Sequence, residues 1–199
     1  LVDKKYWNEY YKSNYKPFKP SNFSTFVLEN LPAGSSIIDI GCGNGRDSLY
    51  FANNEIYTTG VDQSTVIINN LKKYENKYLD FINSDLSELP NKHFENAYCR
   101  FLFHSINEDE ENILIDWLKN YITQNIFIEA RVDQDKHKYT DTNHYRRLMN
   151  EESFKAKTHE SGFKILSYET SNTFSEYKNN YSVKDINFDP MLARIILKS

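Results

Sequence analysis

The run Asp39-Ile40-Gly41-Cys42-Gly43-Asn44-Gly45 constrains this chain more than any other. It follows the apolar pair Ile37-Ile38 and leads into a helical pattern that continues through Ser48 to Ala52. Glycines between a strand and a helix permit positive φ and let a ligand approach the backbone closely. The helix start beyond them offers free N–H groups and positive potential to an anion. Strand, glycine turn and helix in this order belong to open α/β sheets, where ligands bind outside the carboxyl ends of the strands.

The alternation repeats downstream. Tyr57 to Asp62 reads as a second strand, and Ser64 caps a helix carrying Ile67, Ile68, Leu71 and Tyr74. Leu79 to Ile82 is a third strand and Ala97 to Phe103 a fourth. A helix with Ile113, Leu114, Trp117, Leu118 and Tyr121 at 3.6 spacing follows, then a fifth strand, Ile126 to Glu129. Apolar strands alternating with helices predict a parallel sheet covered on both faces. The tail differs: a helix from Glu151 to Glu160 stops at Gly162, and Phe163 to Tyr168 and Ala193 to Leu197 read as a closing hairpin at the sheet edge.

Residues 1–33 read as a helical segment. Tyr6, Trp7, Tyr10 and Tyr11 recur at helical spacing, and Pro17 and Pro20 interrupt. Ser21 caps a second helix with Phe23, Phe26, Val27 and Leu31 on its inner face. A ligand lying on strand ends needs a cover against water, so the first helix is expected to act as a lid. The 199 residues suit one domain, 1–199, with residues 131–150 as an insertion on the substrate side.

Charge and cysteines narrow the function classes. A net charge of −4 without a long basic block argues against a nucleic-acid partner. No apolar run is long enough to span a membrane, and no secretory signal opens the sequence. The start at Leu1 suggests that an initiator methionine is trimmed or lies outside the given sequence. Cys42 and Cys99 form no C-x-x-C pair and no metal-ligand spacing, so reduced thiols in the cytoplasm and no metal are expected. A monomer or homodimer is expected.

The glycine spacing is G-x-G-x-G after an acid, with Arg46 in the sixth position. Dinucleotide binders carry G-x-G-x-x-G instead. A second acid, Asp62, ends the second strand and is placed to accept hydrogen bonds from two ribose hydroxyls. A third, Asp85, follows the third strand in Asn83-Ser84-Asp85-Leu86, where an adenine edge would lie. Each carboxylate alone reads as a turn or a helix cap. Three at successive strand ends, one beside the glycine turn, point to an adenosine ligand.

Together, Asp39 to Gly45, Gly60-Val61-Asp62-Gln63-Ser64 and Asn83 to Leu86 resemble the sequential motifs of class I S-adenosylmethionine-dependent methyltransferases, over about residues 20–199. The resemblance implies a Rossmann-like α/β fold. Its sheet is seven-stranded and mostly parallel, with helices on both faces and the last strand antiparallel. It implies S-adenosylmethionine as cofactor and S-adenosylhomocysteine as product. By the same resemblance Asp39 orients the turn and the methionine amino group, and Gly41, Cys42, Gly43 and Gly45 pack on the cofactor. Asp62 holds the ribose, Asp85 binds adenine N6, and Gln63 and Leu86 complete the set. Arg46 and Arg100 are expected on the cofactor carboxylate.

The acceptor side is less determined. Cys99-Arg100-Phe101-Leu102-Phe103-His104-Ser105-Ile106 departs from the Asn/Asp-Pro-Pro-Tyr pattern of methyltransferases acting on nucleobases or glutamine. His104 is a candidate general base or hydrogen-bond partner, and equally a structural histidine opening the next helix. Residues 131–147 hold five Lys/Arg and two His against three Asp inside an acidic chain. Forked guanidinium donors suit phosphate or carboxylate, so Arg131, His144, Tyr145 and Arg146, with Tyr11 from the lid, are expected to hold a small anionic acceptor. A solvated charged loop is the bland alternative.

Four short strings resemble small bacterial methyltransferases of surface-polysaccharide gene clusters, including the O-methyl phosphoramidate capsule type. They are Pro20-Ser21-Asn22-Phe23, Gly45-Arg46-Asp47-Ser48, Arg100-Phe101 with His104, and His144-Tyr145-Arg146-Arg147. The expected function is therefore O-methylation of a small anionic phosphoramidate or sugar in capsule or surface-polysaccharide modification. Two alternatives stand beside it. One is an NAD-dependent oxidoreductase, against which the missing third glycine and Asp85 argue. The other is a non-catalytic cofactor-binding partner subunit, which an intact glycine turn also fits.

Overall fold

Parallel neighbours cannot be joined by a tight hairpin, so the parallel strands here are joined by crossover connections. A computed structural model describes residues 3–134, 145–174 and 190–199. Its elements run α1 (Lys4–Ser13), α2 (Asn22–Leu28), β1 (Ser36–Ile40), α3 (Arg46–Asn53), β2 (Tyr57–Asp62), α4 (Thr65–Leu71), β3 (Leu79–Asn83) and β4 (Asn96–Arg100). Then follow α5 (Glu108–Tyr121), β5 (Asn125–Arg131), α6 (Glu151–Glu160), β6 (Lys164–Ser171) and β7 (Leu192–Lys198). The seven strands form one sheet in the order β3-β2-β1-β4-β5-β7-β6. The first five strands pair in parallel, and β7 is antiparallel to both its neighbours, β5 and β6.

This is the Rossmann-like sheet expected from the alternation. From β1 the chain winds outward to β3, then returns to place β4 on the other side of β1. That reversal opens a crevice beside the carboxyl end of β1, the place where such sheets bind ligands.

The core explains why the strands read as unbroken apolar runs. Successive side chains leave a strand on opposite faces. Ile37, Tyr98 and Phe127 pack with Phe23, Val27 and Phe51 on one face. Their neighbours Ile38, Cys99, Ile126 and Ile128 pack with Leu114, Ile115 and Leu118 on the other. Side-chain oxygens start the helices. Ser21 accepts from Ser24 N, Ser64 from Ile67 N and Asn150 from Ser153 N. Asn107 and Glu110 form a reciprocal capping box on α5.

Four local expectations need correction. The strand β4 ends at Arg100 rather than Phe103, because Phe101 takes φ +59° and turns the chain out of the sheet. The helix α4 ends at Leu71, and Lys72–Tyr74 tightens into a 3-10 turn that leaves Tyr74 at the surface. Leu31 lies beyond the end of α2. In α5, Ile113 is exposed and Ile115 takes the buried position beside Leu114 and Leu118.

Candidate functional site

Three carboxylates reach one cavity from three adjacent strand ends. Asp39 on β1 is buried, and its Oδ2 accepts from Ser48 Oγ at 2.5 Å. Burial pushes its pKa up to about 8, against the opposing pull of the Ser48 hydrogen bond. Asp62 ends β2 with both oxygens engaged: Gly43 N donates to Oδ2 at 3.0 Å and Ser64 N to Oδ1 at 2.8 Å. Burial raises it to about 6, and those two amide bonds oppose the rise. Asp85, beyond β3, accepts from Ser87 Oγ at 2.5 Å and Ser87 N at 2.9 Å. The Ser87 hydroxyl bond holds its carboxyl below the usual range.

The glycine turn is shaped by contact as well as by torsion. Gly43 has φ +54°, and a Cβ there would stand 2.7 Å from the Tyr11 hydroxyl oxygen. Gly45 has φ +73°, and a Cβ there would press on Leu71 at 2.9 Å. Gly41, Cys42 and Gly43 line the cavity with Gln63 and Leu86, whereas Gly45 faces Leu71 and Phe81 behind the turn. Gly41 N and Cys42 N both donate to Val61 O, at 2.8 and 2.9 Å, which ties the turn to β2.

The leading helix closes the cavity. Trp7, Tyr10 and Tyr11 of α1 contribute rings to its wall. Ser64 Oγ donates to Asn8 Oδ1 at 2.7 Å, and Asn44 Nδ2 donates to Lys16 O at 2.8 Å. The segment is therefore hydrogen-bonded to both loops that carry the cofactor motifs. Tyr11 is buried, and that burial, with Asp62 nearby, keeps its phenol protonated far above the ordinary range.

A buried polar chain forms the opposite wall. Asp47 accepts from Ser21 N at 2.8 Å, Ser21 Oγ at 2.9 Å and Tyr98 OH at 2.8 Å, with Arg46 Nε 3.5 Å away. Burial opposes its ionisation, but Arg100, Arg46 and these donors hold its pKa below the usual value. Arg100 Nε and Arg194 Nε donate to the two oxygens of buried Glu129, at 2.9 and 2.8 Å. Arg46, Asp47, Tyr98 and Arg100 all line the cavity. Asp47, Tyr98 and Glu129 are absent from the residues singled out in the sequence. Only the short string around Asp47 hinted at it, and nothing in the spacing tied Ser21, Tyr98 or Glu129 to the same place.

The acceptor-side candidates are arranged differently from expectation. His104 is buried and outside the cavity wall. Its Nδ1 accepts from Arg131 N at 3.2 Å and its carbonyl from Arg147 N at 2.9 Å, so it joins the turn after β4 to the end of β5. Arg131 is buried with its guanidinium 6.0 Å from the Phe101 ring. Arg147 pairs with buried Glu111, which also takes Lys157 at 3.1 Å. Tyr145 N donates to the Asp3 carboxylate. Of the acceptor set, the structure brings Tyr11 to the cavity wall but not Arg131, Tyr145 or Arg146, and His144 lies outside the described residues. Among the described residues, no group of three or more His, Cys, Asp or Glu could hold a metal ion, and no helix is long and apolar enough to cross a membrane.

Comparison with known proteins agrees with this geometry. Residues 37–122 match a family described as a methyltransferase domain. No curated protein sequence matches the chain. Among solved structures it is similar to the Burkholderia thailandensis 1,6-didemethyltoxoflavin-N1-methyltransferase with bound 1,6-didemethyltoxoflavin and S-adenosylhomocysteine. The TM-score is 0.70 at 15% identity, over 89% of this chain and 76% of that one. A Methanosarcina mazei S-adenosylmethionine-dependent methyltransferase aligns with TM-score 0.70 at 15% identity, over 87% and 96% of the two chains. The [4+2]-cyclase SpnF shares the fold as well, with TM-score 0.68 at 18% identity, over 88% and 79%. At these identities the structural likeness establishes the fold, and the methyltransferase-domain match over residues 37–122 supports an enzyme.

Proposed function

We propose that the methyltransferase domain of this chain transfers a methyl group from S-adenosylmethionine to an oxygen of a small anionic acceptor. The observation that carries this reading is the convergence of Asp39, Asp62 and Asp85 on one cavity beneath the rings of α1. The residues present fit the cofactor. Asp62 keeps acceptor capacity for ribose hydroxyls beyond its two amide bonds, since a carboxylate has about four lone-pair sites. Gly41, Cys42 and Gly43 offer bare backbone, Gln63, Asp85 and Leu86 flank the adenine end, and Gly45 gives the turn its shape. Asp39 and Arg46 line the cavity, where they would hold the ammonium and carboxylate ends of the bound cofactor.

When bound, the cofactor supplies a sulfonium-activated methyl carbon. The chain's own contribution is alignment and exclusion of water, which such a displacement chiefly requires. The Tyr11 phenol stays neutral and fills the space a Cβ at residue 43 would need, and Trp7 and Tyr10 line the wall beside it. The position of His104 supports an acceptor already ionised in water, because an oxyanion needs no base at the cavity and the imidazole stands outside the wall.

The strings shared with surface-polysaccharide enzymes extend the proposal to capsule modification, with a phosphoramidate or a sugar-linked anion as acceptor. Two of those strings meet here, since Ser21 and Asp47 are hydrogen-bonded partners. The enzyme would work in the cytoplasm as a monomer or homodimer. Calorimetry with S-adenosylhomocysteine and with NAD tests the cofactor assignment. Binding of the first and not the second is expected; binding of NAD alone would overturn it.

A further inference from the structure

The first turn of α3 is fastened to three other elements through two neighbouring side chains. Ser48 Oγ donates to Asp39 Oδ2 at 2.5 Å, which ties the turn to β1. Asp47 receives Ser21 N at 2.8 Å, Ser21 Oγ at 2.9 Å and Tyr98 OH at 2.8 Å, which ties it to the start of α2 and to β4. Arg46 precedes both on the same turn, and Arg46 and Asp47 line the cavity. A guanidinium on so fixed a base needs little further ordering to hold a ligand.

Asp47 and Arg46 have complementary vacancies. A carboxylate has about four lone-pair sites. On Asp47, Oδ2 takes the Ser21 and Tyr98 hydroxyls and Oδ1 takes Ser21 N, so one site on Oδ1 is unfilled. Arg46 Nε stands 3.5 Å from that same oxygen. This Nε is buried and, among the described residues, has no hydrogen-bond partner. A buried N–H left unpaired is costly, and such an atom on a cavity wall calls for a bound state that completes it.

The charges suit that completion. Asp47 is ionised despite its burial, because Arg100, Arg46 and its three donors favour the charged form. A hydrogen bond between two charged partners is the strong kind. The guanidinium carries its donors in a rigid fork, so Nε can serve Asp47 while the η nitrogens serve a second carboxylate.

We infer that Asp47 is a positioning residue: its unfilled Oδ1 site takes the Arg46 Nε–H while the Arg46 η nitrogens receive the amino-acid carboxylate of the cofactor. This rests on the methyltransferase reading above. It adds a relay in which Ser21 and Tyr98 fix Asp47, Asp47 fixes Arg46, and Arg46 grips the ligand. The contact between Ser21 and Asp47 thereby belongs to the cofactor's side of the cavity rather than to acceptor choice.

Calorimetry on the full chain compares S-adenosylhomocysteine with 5′-methylthioadenosine, which keeps the nucleoside and thioether and lacks the amino-acid end. Wild type should bind S-adenosylhomocysteine at least about tenfold more tightly. Arg46→Met should weaken it about tenfold or more and Asp47→Asn about fivefold, with 5′-methylthioadenosine changed less than about twofold by either. In the double variant, Asp47→Asn should add less than about twofold, because it acts through Arg46. Asp47→Asn weakening both ligands alike would show a merely structural role and overturn the inference. So would no effect, or its full factor added on top of Arg46→Met. If Asp47→Asn fails to fold, Arg46→Lys decides: an ammonium lacks the fork, so S-adenosylhomocysteine should weaken about fivefold at unchanged charge, and wild-type affinity would overturn the inference. S-adenosylhomocysteine binding no tighter than 5′-methylthioadenosine also overturns it. Wild type binding neither ligand would instead overturn the methyltransferase reading itself, so the two failures are distinguishable.

Discussion

The carboxylate-lined half of the cavity, proposed to hold the cofactor, and the segment that follows β5 carry charge in opposite ways. Asp39, Asp62 and Asp85 sit at strand ends whose positions are fixed by the sheet, and all three reach the cavity. Beyond β5 the basic residues outnumber the acids, yet Arg147 pairs with buried Glu111 rather than reaching the cavity. A carboxylate at a strand end is aimed by topology. A cation on a long connection is aimed by whichever buried carboxylate lies within reach, and composition gives no direction. Position within the sheet, rather than sign or number of charges, therefore separates the residues that line the cavity from those that brace its surroundings.

The strongest way to break this comparison is to remove the cover of the cofactor half. Deleting residues 1–16 should abolish methyl transfer while the sheet retains its circular dichroism, because the rings of Trp7, Tyr10 and Tyr11 leave the wall. Full turnover in the truncated chain would show that α1 merely packs on α4.

Next in size is Asp62→Ala. It removes an acceptor for ribose hydroxyls and for two backbone amides, and should weaken S-adenosylhomocysteine binding by about 1.5–3 kcal/mol. An unchanged dissociation constant in a folded variant would refute the role given to this strand end.

Gly43→Ala should cost about 1–2 kcal/mol in cofactor affinity, from its left-handed torsion and from the Tyr11 oxygen 2.7 Å from the new Cβ. Combining it with Tyr11→Phe should restore part of the loss, since the clashing atom is gone and the torsional strain stays. Simple additivity of the two changes would mean that the contact carries no energy.

On the other side, Arg147→Met should lower the unfolding free energy by about 1 kcal/mol, because Glu111 keeps Lys157 as partner. Urea unfolding measures this, and S-adenosylhomocysteine affinity should stay within twofold. A tenfold fall in that affinity would erase the contrast between the two regions.

The smallest effect is a slope with pH. Asp39 and Asp62 have folded-state pKa values raised to about 8 and about 6. Between the unfolded carboxylate range and those values the native state binds more protons, so these two groups make stability fall as pH rises from 5 to 8. The fall should flatten in Asp39→Asn, measured by urea unfolding without cofactor. An equal slope in that variant would place the titration elsewhere.

The sheet was legible because period, glycine spacing and strand-end acids all agree from Ser36 to Arg131. Ser21, Ser64 and Gly162 likewise behave as their residue types dictate. What could not be read was pairing across distance. Glu129 meets Arg100 and Arg194, and Asp47 meets Ser21 and Tyr98, only after the strands are ordered β1-β4-β5-β7. His104 illustrates the same limit: its residue type suggested proton transfer, whereas the fold gives its Nδ1 a backbone amide. The left-handed Phe101 carried no local signal, since nothing in a phenylalanine announces positive φ.

The insertion of β7 between β5 and β6 bears on how the chain is made. As it emerges from the ribosome, β5 presents an open edge, and β6 has no adjacent strand to join until Leu192–Lys198 follows. An unpaired apolar edge invites pairing with other molecules, and long-range strand insertion is slow. A nascent chain halted after β6 should therefore be captured by chaperones or aggregate, and the interval before β7 arrives sets its period of greatest vulnerability.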